Sequence, residues 1–138
     1  MEMRLEHIGI VVKDIEHSKE YYMKTYGCKP LSGVVYEPAH NVNVLFLDAG
    51  HGRMPMIELI MPIDENSRVS NFLKKTGGGL HHLAYEVENI EKAIEHFKSL
   101  RAMILNSIVL GAGHGNTRTV WLYTSEKDLV ELIEKQDG

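Results

Sequence analysis

The chain repeats itself. The stretch His7-Ile-Gly-Ile-Val-Val-Lys-Asp-Ile-Glu returns 75 residues later as His82-Leu-Ala-Tyr-Glu-Val-Glu-Asn-Ile-Glu. His7 meets His82, Val12 meets Val87, Ile15 meets Ile90 and Glu16 meets Glu91, and the match runs on through Glu20 with Glu95 and Tyr22 with Phe97. A second match closes each half: Ile57-Glu58-Leu59-Ile60 against Val130-Glu131-Leu132-Ile133, at an offset of 73. Each half opens on a histidine strand and ends on a glutamate strand. Two ends that agree in order, residue type and near-constant offset set chance aside. An internal repeat of this kind governs the choice of fold before any local signal does.

Both halves read alike. Residues 4–12 alternate and are β-branched, which predicts a strand. Asp14 stands as an N-cap, and Ile15, Ser18 and Tyr22 share one helical face up to Gly27, a C-terminal glycine. Residues 42–48 and 55–61 read as strands, with a shorter one at 31–37. In the second half 80–87 form a strand, Asn89 caps a helix running to about Leu100, and strands follow at 102–109, 117–123 and 128–134. The order is βαβββ, twice. The expected fold is α+β: two tandem βαβββ modules forming a curved, cupped mixed sheet, one domain over residues 1–138. Module one covers about 4–62 and module two about 80–135. The linker 63–79 carries a short helix at Ser67–Lys75 and a Gly77-Gly78-Gly79 hinge. That triplet precedes a strand and lacks the lysine and helix of a phosphate loop.

Composition narrows the function classes. A chain of 138 residues suffices for one domain with its own core. With 43% hydrophobic and 25% charged residues it has the balance of a globular protein, which excludes intrinsic disorder. Fifteen Lys+Arg against 19 Asp+Glu leave a net charge of −4 and no basic stripe, so nucleic acid is not an expected partner. No apolar run approaches the roughly 20 residues that span a bilayer, so no membrane partner is expected. Met1-Glu2-Met3-Arg4 lacks the basic-then-apolar opening of a signal peptide. The single cysteine, Cys28, cannot close an internal disulfide, which agrees with an expected cytoplasmic location. One count stands apart: eight histidines.

Successive strand residues face opposite sides. Glu58 shares its face with Met56 and Ile60, and Glu131 shares its face with Leu129 and Ile133. A carboxylate among apolar neighbours is costly to desolvate unless something pairs with it. The plain alternative, an outer face or an edge strand, would serve for one such glutamate but poorly for two at equivalent repeat positions. His7 lies between Leu5 and Gly9, and His82 between Leu80 and Ala84. A lone strand histidine is commonly a hydrogen-bonded core residue. Here a pseudo-twofold would bring His7, Glu58, His82 and Glu131 onto the concave face. Two imidazoles and two carboxylates suit a borderline divalent metal, with room left for water or substrate.

The other histidines do not share this pattern. His81 points away from the face of His82, with Leu83 and Tyr85. His17 and His96 sit on helices and are expected in solvent, and His40 and His51 fall in or near turns. His114, in Gly111-Ala-Gly113-His-Gly115, reads as a mobile turn or as a loop that folds over a ligand.

These residues carry a family resemblance over nearly the whole chain. His7-Ile-Gly-Ile-Val-Val-Lys-Asp-Ile-Glu, Ile57-Glu-Leu-Ile-Met-Pro, Gly79-Leu-His-His-Leu-Ala-Tyr-Glu-Val and Leu129-Val-Glu-Leu-Ile-Glu resemble the vicinal oxygen chelate superfamily of glyoxalases, bleomycin resistance proteins and dioxygenases. Among its branches the nearest is methylmalonyl-CoA epimerase. The stretch Asn66-Ser67-Arg68-Val69-Ser70-Asn71-Phe72-Leu73-Lys74-Lys75, running into Gly78-Gly79-Leu80-His81-His82, is similar to the epimerase linker, and Gly111-Ala112-Gly113 is similar to an epimerase loop. Glyoxalase I has an Asp-Pro-Asp-Gly type turn where this chain has Thr124-Ser125-Glu126-Lys127-Asp128. Three positions depart from the epimerase pattern. Ser67-Arg68 stands for Ser-Pro, Tyr123-Thr124 stands for His-Pro, and Val44 occupies a position where some epimerases carry a second acid.

The resemblance implies a divalent ion (Co, Ni, Mn or Zn) held by His7, Glu58, His82 and Glu131. It implies epimerisation of a 2-substituted acyl-CoA such as methylmalonyl-CoA, with Glu131 as base. Glu58 or a bound water would return the proton. The substrate would be a small molecule, a thioester or thiol conjugate, and the enzyme a homodimer. The alternatives are a glyoxalase I-type lyase, lactoylglutathione lyase, and a non-catalytic small-molecule-binding module of the antibiotic-resistance kind. A ring-cleaving dioxygenase would need only three protein ligands, which leaves Glu58 over.

Overall fold

Residues 2–110 and 116–136 are described by a computed structural model. They fall into two compact units: His7–His81, and Met1–Glu6 together with His82–Gly138. His114 and the Gly111-Ala112-Gly113 stretch lie outside the described residues. No helix among the described residues is long and apolar enough to cross a membrane.

The His7 unit takes its first strand from β1 (Met3–Val11), followed by α1 (Ile15–Tyr26), β2 (Lys29–Pro30), β3 (Val35–Glu37), β4 (Val42–Asp48), β5 (Met56–Pro62) and α2 (Ser70–Thr76). Asp14 starts α1 by accepting the His17 N–H at 3.1 Å, and Gly27 ends it at φ 71, returning its N–H to Met23. The sheet order is β2-β4-β5-β1, with β3 also on β4, and β1 runs parallel to β5 while β4 is antiparallel to it. Period-two alternation then divides the side chains between the faces. Val12, Leu45, Leu47 and Leu59 pack under α1 against Ile15 and Cys28. On the other face Val11, Val42, Val44 and Ile60 are covered by Val69, Phe72 and Leu73 from the α2 segment.

The His82 unit repeats the plan with β6 (Gly79–Val87), α3 (Ile90–Ser99), β7 (Met103–Ile104), β8 (Val109–Leu110), β9 (Arg118–Tyr123) and β10 (Leu129–Glu134). Asn89 caps α3 by accepting the Lys92 N–H at 2.9 Å, the counterpart of Asp14. The order is β6-β10-β9-β7, with β8 also on β9, and β6 lies parallel to β10. Ile90 and Ala93 pack with Val87, Val120, Leu122, Val130 and Leu132. Both units are therefore α+β and keep the βαβββ plan that the repeat predicts, with two short strands in place of one after each helix.

Three local expectations are corrected. The strand expected at 31–37 is shorter, β3 at Val35–Glu37, and a separate two-residue strand, β2, precedes it at Lys29–Pro30. Leu31 makes one further bond to the Phe46 carbonyl, after which Ser32 turns its hydroxyl onto the Gly33 carbonyl and the ladder stops. The strand expected at 102–109 is likewise split into β7 and β8, because Asn106 Oδ1 takes the Trp121 N–H at 2.8 Å in place of a backbone carbonyl. The linker helix starts at Ser70 rather than Ser67, since the Ser67 hydroxyl accepts the Ile63 and Asp64 N–H groups and donates to the Asn41 carbonyl. The glycine triplet is also more than a hinge. Gly78 has φ +106, and a Cβ there would stand 2.7 Å from the Val11 carbonyl oxygen.

Candidate metal centre

In the His7 unit, register fixes which side chains meet. On the parallel ladder His7 is opposite Met56 and Gly9 is opposite Glu58, so His7 and Glu58 share a face. It is the face turned from α1, because the alternate residues Ile10, Ile57 and Leu59 belong to the helix-side core. His7 Nε2 stands 3.3 Å from Glu58 Oε1. On the antiparallel side Phe46 is opposite Glu58, and its ring lies perpendicular to the His7 imidazole at 5.4 Å between centroids. Farther along this face Val44, opposite Ile60, is 6% exposed and sits in the apolar cluster under α2. It carries no proton to exchange.

The His82 unit builds the same arrangement from different residues. Ala84 is opposite Glu131 on the parallel ladder, which puts Glu131 on the face of His82, two residues away. His82 Nε2 is 3.9 Å from Glu131 Oε1, and both side chains are buried. Trp121 is opposite Glu131 and stands perpendicular to the His82 ring at 4.8 Å. Each unit thus brings together its own pair: His7 with Glu58, His82 with Glu131.

Two features at these pairs were not singled out from the sequence, although the offset of 75 marks both. Gly9 becomes Ala84 and Phe46 becomes Trp121. The residue beside each glutamate on the histidine strand is small, and the residue across from it on the neighbouring strand is aromatic.

The donor chemistry suits a divalent cation. A metal with nitrogen and oxygen ligands at about 2.1 Å holds neighbouring ligand atoms about 3.0 to 3.4 Å apart. The His7–Glu58 separation of 3.3 Å falls in that interval, and the His82–Glu131 separation of 3.9 Å is somewhat wider. A buried imidazole aiming Nε2 at a buried or nearly buried carboxylate is a mixed N/O pair of the borderline kind.

The remaining histidines do other things. His81 packs its ring at 5.0 Å, perpendicular, on Phe72 of α2. His17, His51 and His96 are exposed. His40 is half-buried against Glu37, whose carboxylate accepts the Ala39 and His40 N–H groups at 2.8 Å and faces His40 Nδ1 at 2.7 Å. Glu37 closes the turn between β3 and β4.

A second carboxylate fastens the strand that carries Glu131. Glu134, at the end of β10, accepts from Arg118 Nε at 2.9 Å and Arg118 Nη2 at 2.8 Å, and from the Ile90 N–H at the start of α3 at 3.0 Å. The Arg118 guanidinium holds the Glu134 carboxyl below its usual range, with help from the Ile90 N–H, against the opposing effect of burial.

The chain is similar to known proteins along most of its length. A family model described as Glyoxalase/Bleomycin resistance protein/Dioxygenase superfamily matches residues 6–120. The chain is 33% identical over 132 residues to the mitochondrial methylmalonyl-CoA epimerase of Bos taurus, covering 94% of this chain and 73% of that protein. It is 37% identical over 105 residues to the ethylmalonyl-CoA/methylmalonyl-CoA epimerase of Cereibacter sphaeroides, covering 75% of each. Among solved structures, a hypothetical protein from Bacillus halodurans C-125 matches with a TM-score of 0.86 and 30% identity, covering 100% of this chain and 98% of that one.

Proposed function

Since this chain belongs to the Glyoxalase/Bleomycin resistance protein/Dioxygenase superfamily, we propose that it is a metal-dependent epimerase that moves the α-proton of a 2-substituted acyl-CoA such as methylmalonyl-CoA. One observation carries the assignment: an enclosed His–Glu pair recurs at equivalent positions in both units, His7–Glu58 and His82–Glu131. Two relatives support the substrate class, because the Bos taurus and Cereibacter sphaeroides proteins are named as epimerases of malonyl-CoA derivatives.

His7, Glu58, His82 and Glu131 are the ligands we assign, and Co, Ni, Mn and Zn are the ions that suit two imidazoles and two carboxylates. A divalent ion there supplies Lewis-acid stabilisation for the negative charge that develops on the thioester oxygen as the α-proton leaves. Glu131 accepts that proton. Its carboxylate is buried beside Trp121, away from competing water. A proton would return to the opposite face of the substrate from a bound water or from Glu58 in its protonated form, a task that Val44 cannot perform. Glu131 would release the proton it took to solvent to complete the cycle. The buried thiol of Cys28 suits a reducing cytosol, and a homodimer completes the proposal.

The glyoxalase I-type alternative draws no support from these relatives, and a non-catalytic binding module would have little use for two enclosed His–Glu pairs. Methylmalonyl-CoA incubated with enzyme and metal in deuterated water should gain deuterium at the α-carbon. A parallel assay with the hemithioacetal of methylglyoxal and glutathione should show no turnover. Turnover only in the second assay would replace epimerisation by lyase chemistry.

A further inference from the structure

Phe46 and Trp121 occupy one position of the repeat, and what they share is narrow. Along the strand face leading to them, Val42, Val44 and Phe46 in the first half stand where Thr117, Thr119 and Trp121 stand in the second. Two of the three positions change from apolar to hydroxyl. The third changes size by a fused ring and keeps only its aromatic face. In both units that ring is directly across the ladder from the glutamate and perpendicular to the histidine. Neither is a core filler. Leu45 and Leu47, on either side of Phe46, are 1% and 0% exposed and pack under α1, whereas Phe46 faces the other way and is half-buried. Leu122, next to Trp121, is 0% exposed and packs with α3, and Trp121 is half-buried on the opposite face.

An imidazole on a strand has a broad, nearly two-fold second torsion, so its Nε2 sweeps an arc unless a neighbour fixes the ring plane. A perpendicular aromatic ring does so with a geometry that ring quadrupoles favour. The preference strengthens when the imidazole gives up electron density to a cation. We propose that Phe46 and Trp121 are positioning residues, each setting the plane of the histidine in its own unit, His7 and His82, for cation binding. This rests on the metal assignment made above.

The test uses the full chain with Co²⁺ alone, measured by calorimetry and by the visible absorption of the bound ion. Four variants are compared: Phe46→Leu, Phe46→Tyr, Trp121→Leu and Trp121→Phe. The leucine variants should bind Co²⁺ about ten-fold more weakly or worse, the usual scale for losing a group that orients a ligand, and their absorption bands should move. The ring-retaining variants should match the wild type in both. Leucine variants that bind with unchanged affinity and spectrum overturn the proposal, as do ring-retaining variants that lose as much as leucine. A leucine variant that no longer folds without metal assigns the ring to packing and overturns the proposal for that unit. Wild-type protein that binds no Co²⁺ would instead sink the metal assignment itself. Trp121 is the single tryptophan, so Co²⁺ should also quench the wild-type emission, and unchanged emission on binding counts against a cation at His82.

Discussion

His7 Nε2 and Glu58 Oε1 face each other at 3.3 Å, with the imidazole side chain 0% and the carboxylate side chain 13% exposed. An enclosed carboxylate is stable when a cation compensates its desolvation. If that cation is a metal bound by the native state alone, metal must raise the melting midpoint. At a free concentration one hundred times the Kd the gain is about 2.7 kcal/mol. Scans with Co²⁺, Ni²⁺, Mn²⁺ and Zn²⁺ should show the rise for at least one ion, and EDTA should reverse it. A midpoint indifferent to all four contradicts the four-ligand assignment.

Glu131→Gln separates the two duties given to Glu131. The amide keeps an oxygen for coordination but cannot accept a proton. Exchange of the substrate α-proton should fall by about 10²–10⁴-fold, while metal affinity falls far less. Exchange at the wild-type rate would reduce Glu131 to a ligand.

Much of this was legible in the chain because the informative signals are local or periodic. The offset of 75 paired His7 with His82 and Asp14 with Asn89, and the alternation along β5 and β10 marked Glu58 and Glu131 as unusual. Both caps form as expected. What escaped depends on partners distant in sequence. Asn106 breaks the strand after β7 by bonding Trp121, fifteen residues on. Phe46 and Trp121 acquire their meaning only from lying across the ladder from a glutamate, a register that neither residue announces by itself. The Ser67 bonds that delay α2 likewise reach back to Asn41.

Glu134→Gln should make stability less dependent on pH. The Glu134 carboxyl is held below its usual range, chiefly by Arg118, so it binds fewer protons folded than unfolded. Its contribution is complete above the ordinary glutamate pKa of about 4.3 and is lost as pH falls through the lower folded value. At neutral pH the variant should melt a few degrees below the wild type, and the two curves should converge in acid. A gap that persists unchanged at low pH would assign the loss to packing rather than to the ionised pair.

The adjacent histidines of β6 give the sharpest contrast. His82 is 4% exposed, with Nε2 3.9 Å from Glu131 Oε1 and its ring against Trp121. His81 lies on the other side of the strand, with its ring on Phe72. His82→Ala removes a proposed ligand and should abolish tight metal binding together with α-proton exchange. His81→Ala should leave the metal affinity within a few-fold of wild type and lower the melting midpoint modestly, since Phe72 loses a ring contact worth about 0.5–1.5 kcal/mol. Calorimetric titration of both variants with Co²⁺ decides between them. Metal lost with His81 and kept with His82 would require β6 to be shifted by one residue, and such a slip exchanges every side chain on the strand between its two faces. Ala84 would then no longer face Glu131, and the correspondence between the two His–Glu pairs would fail with it.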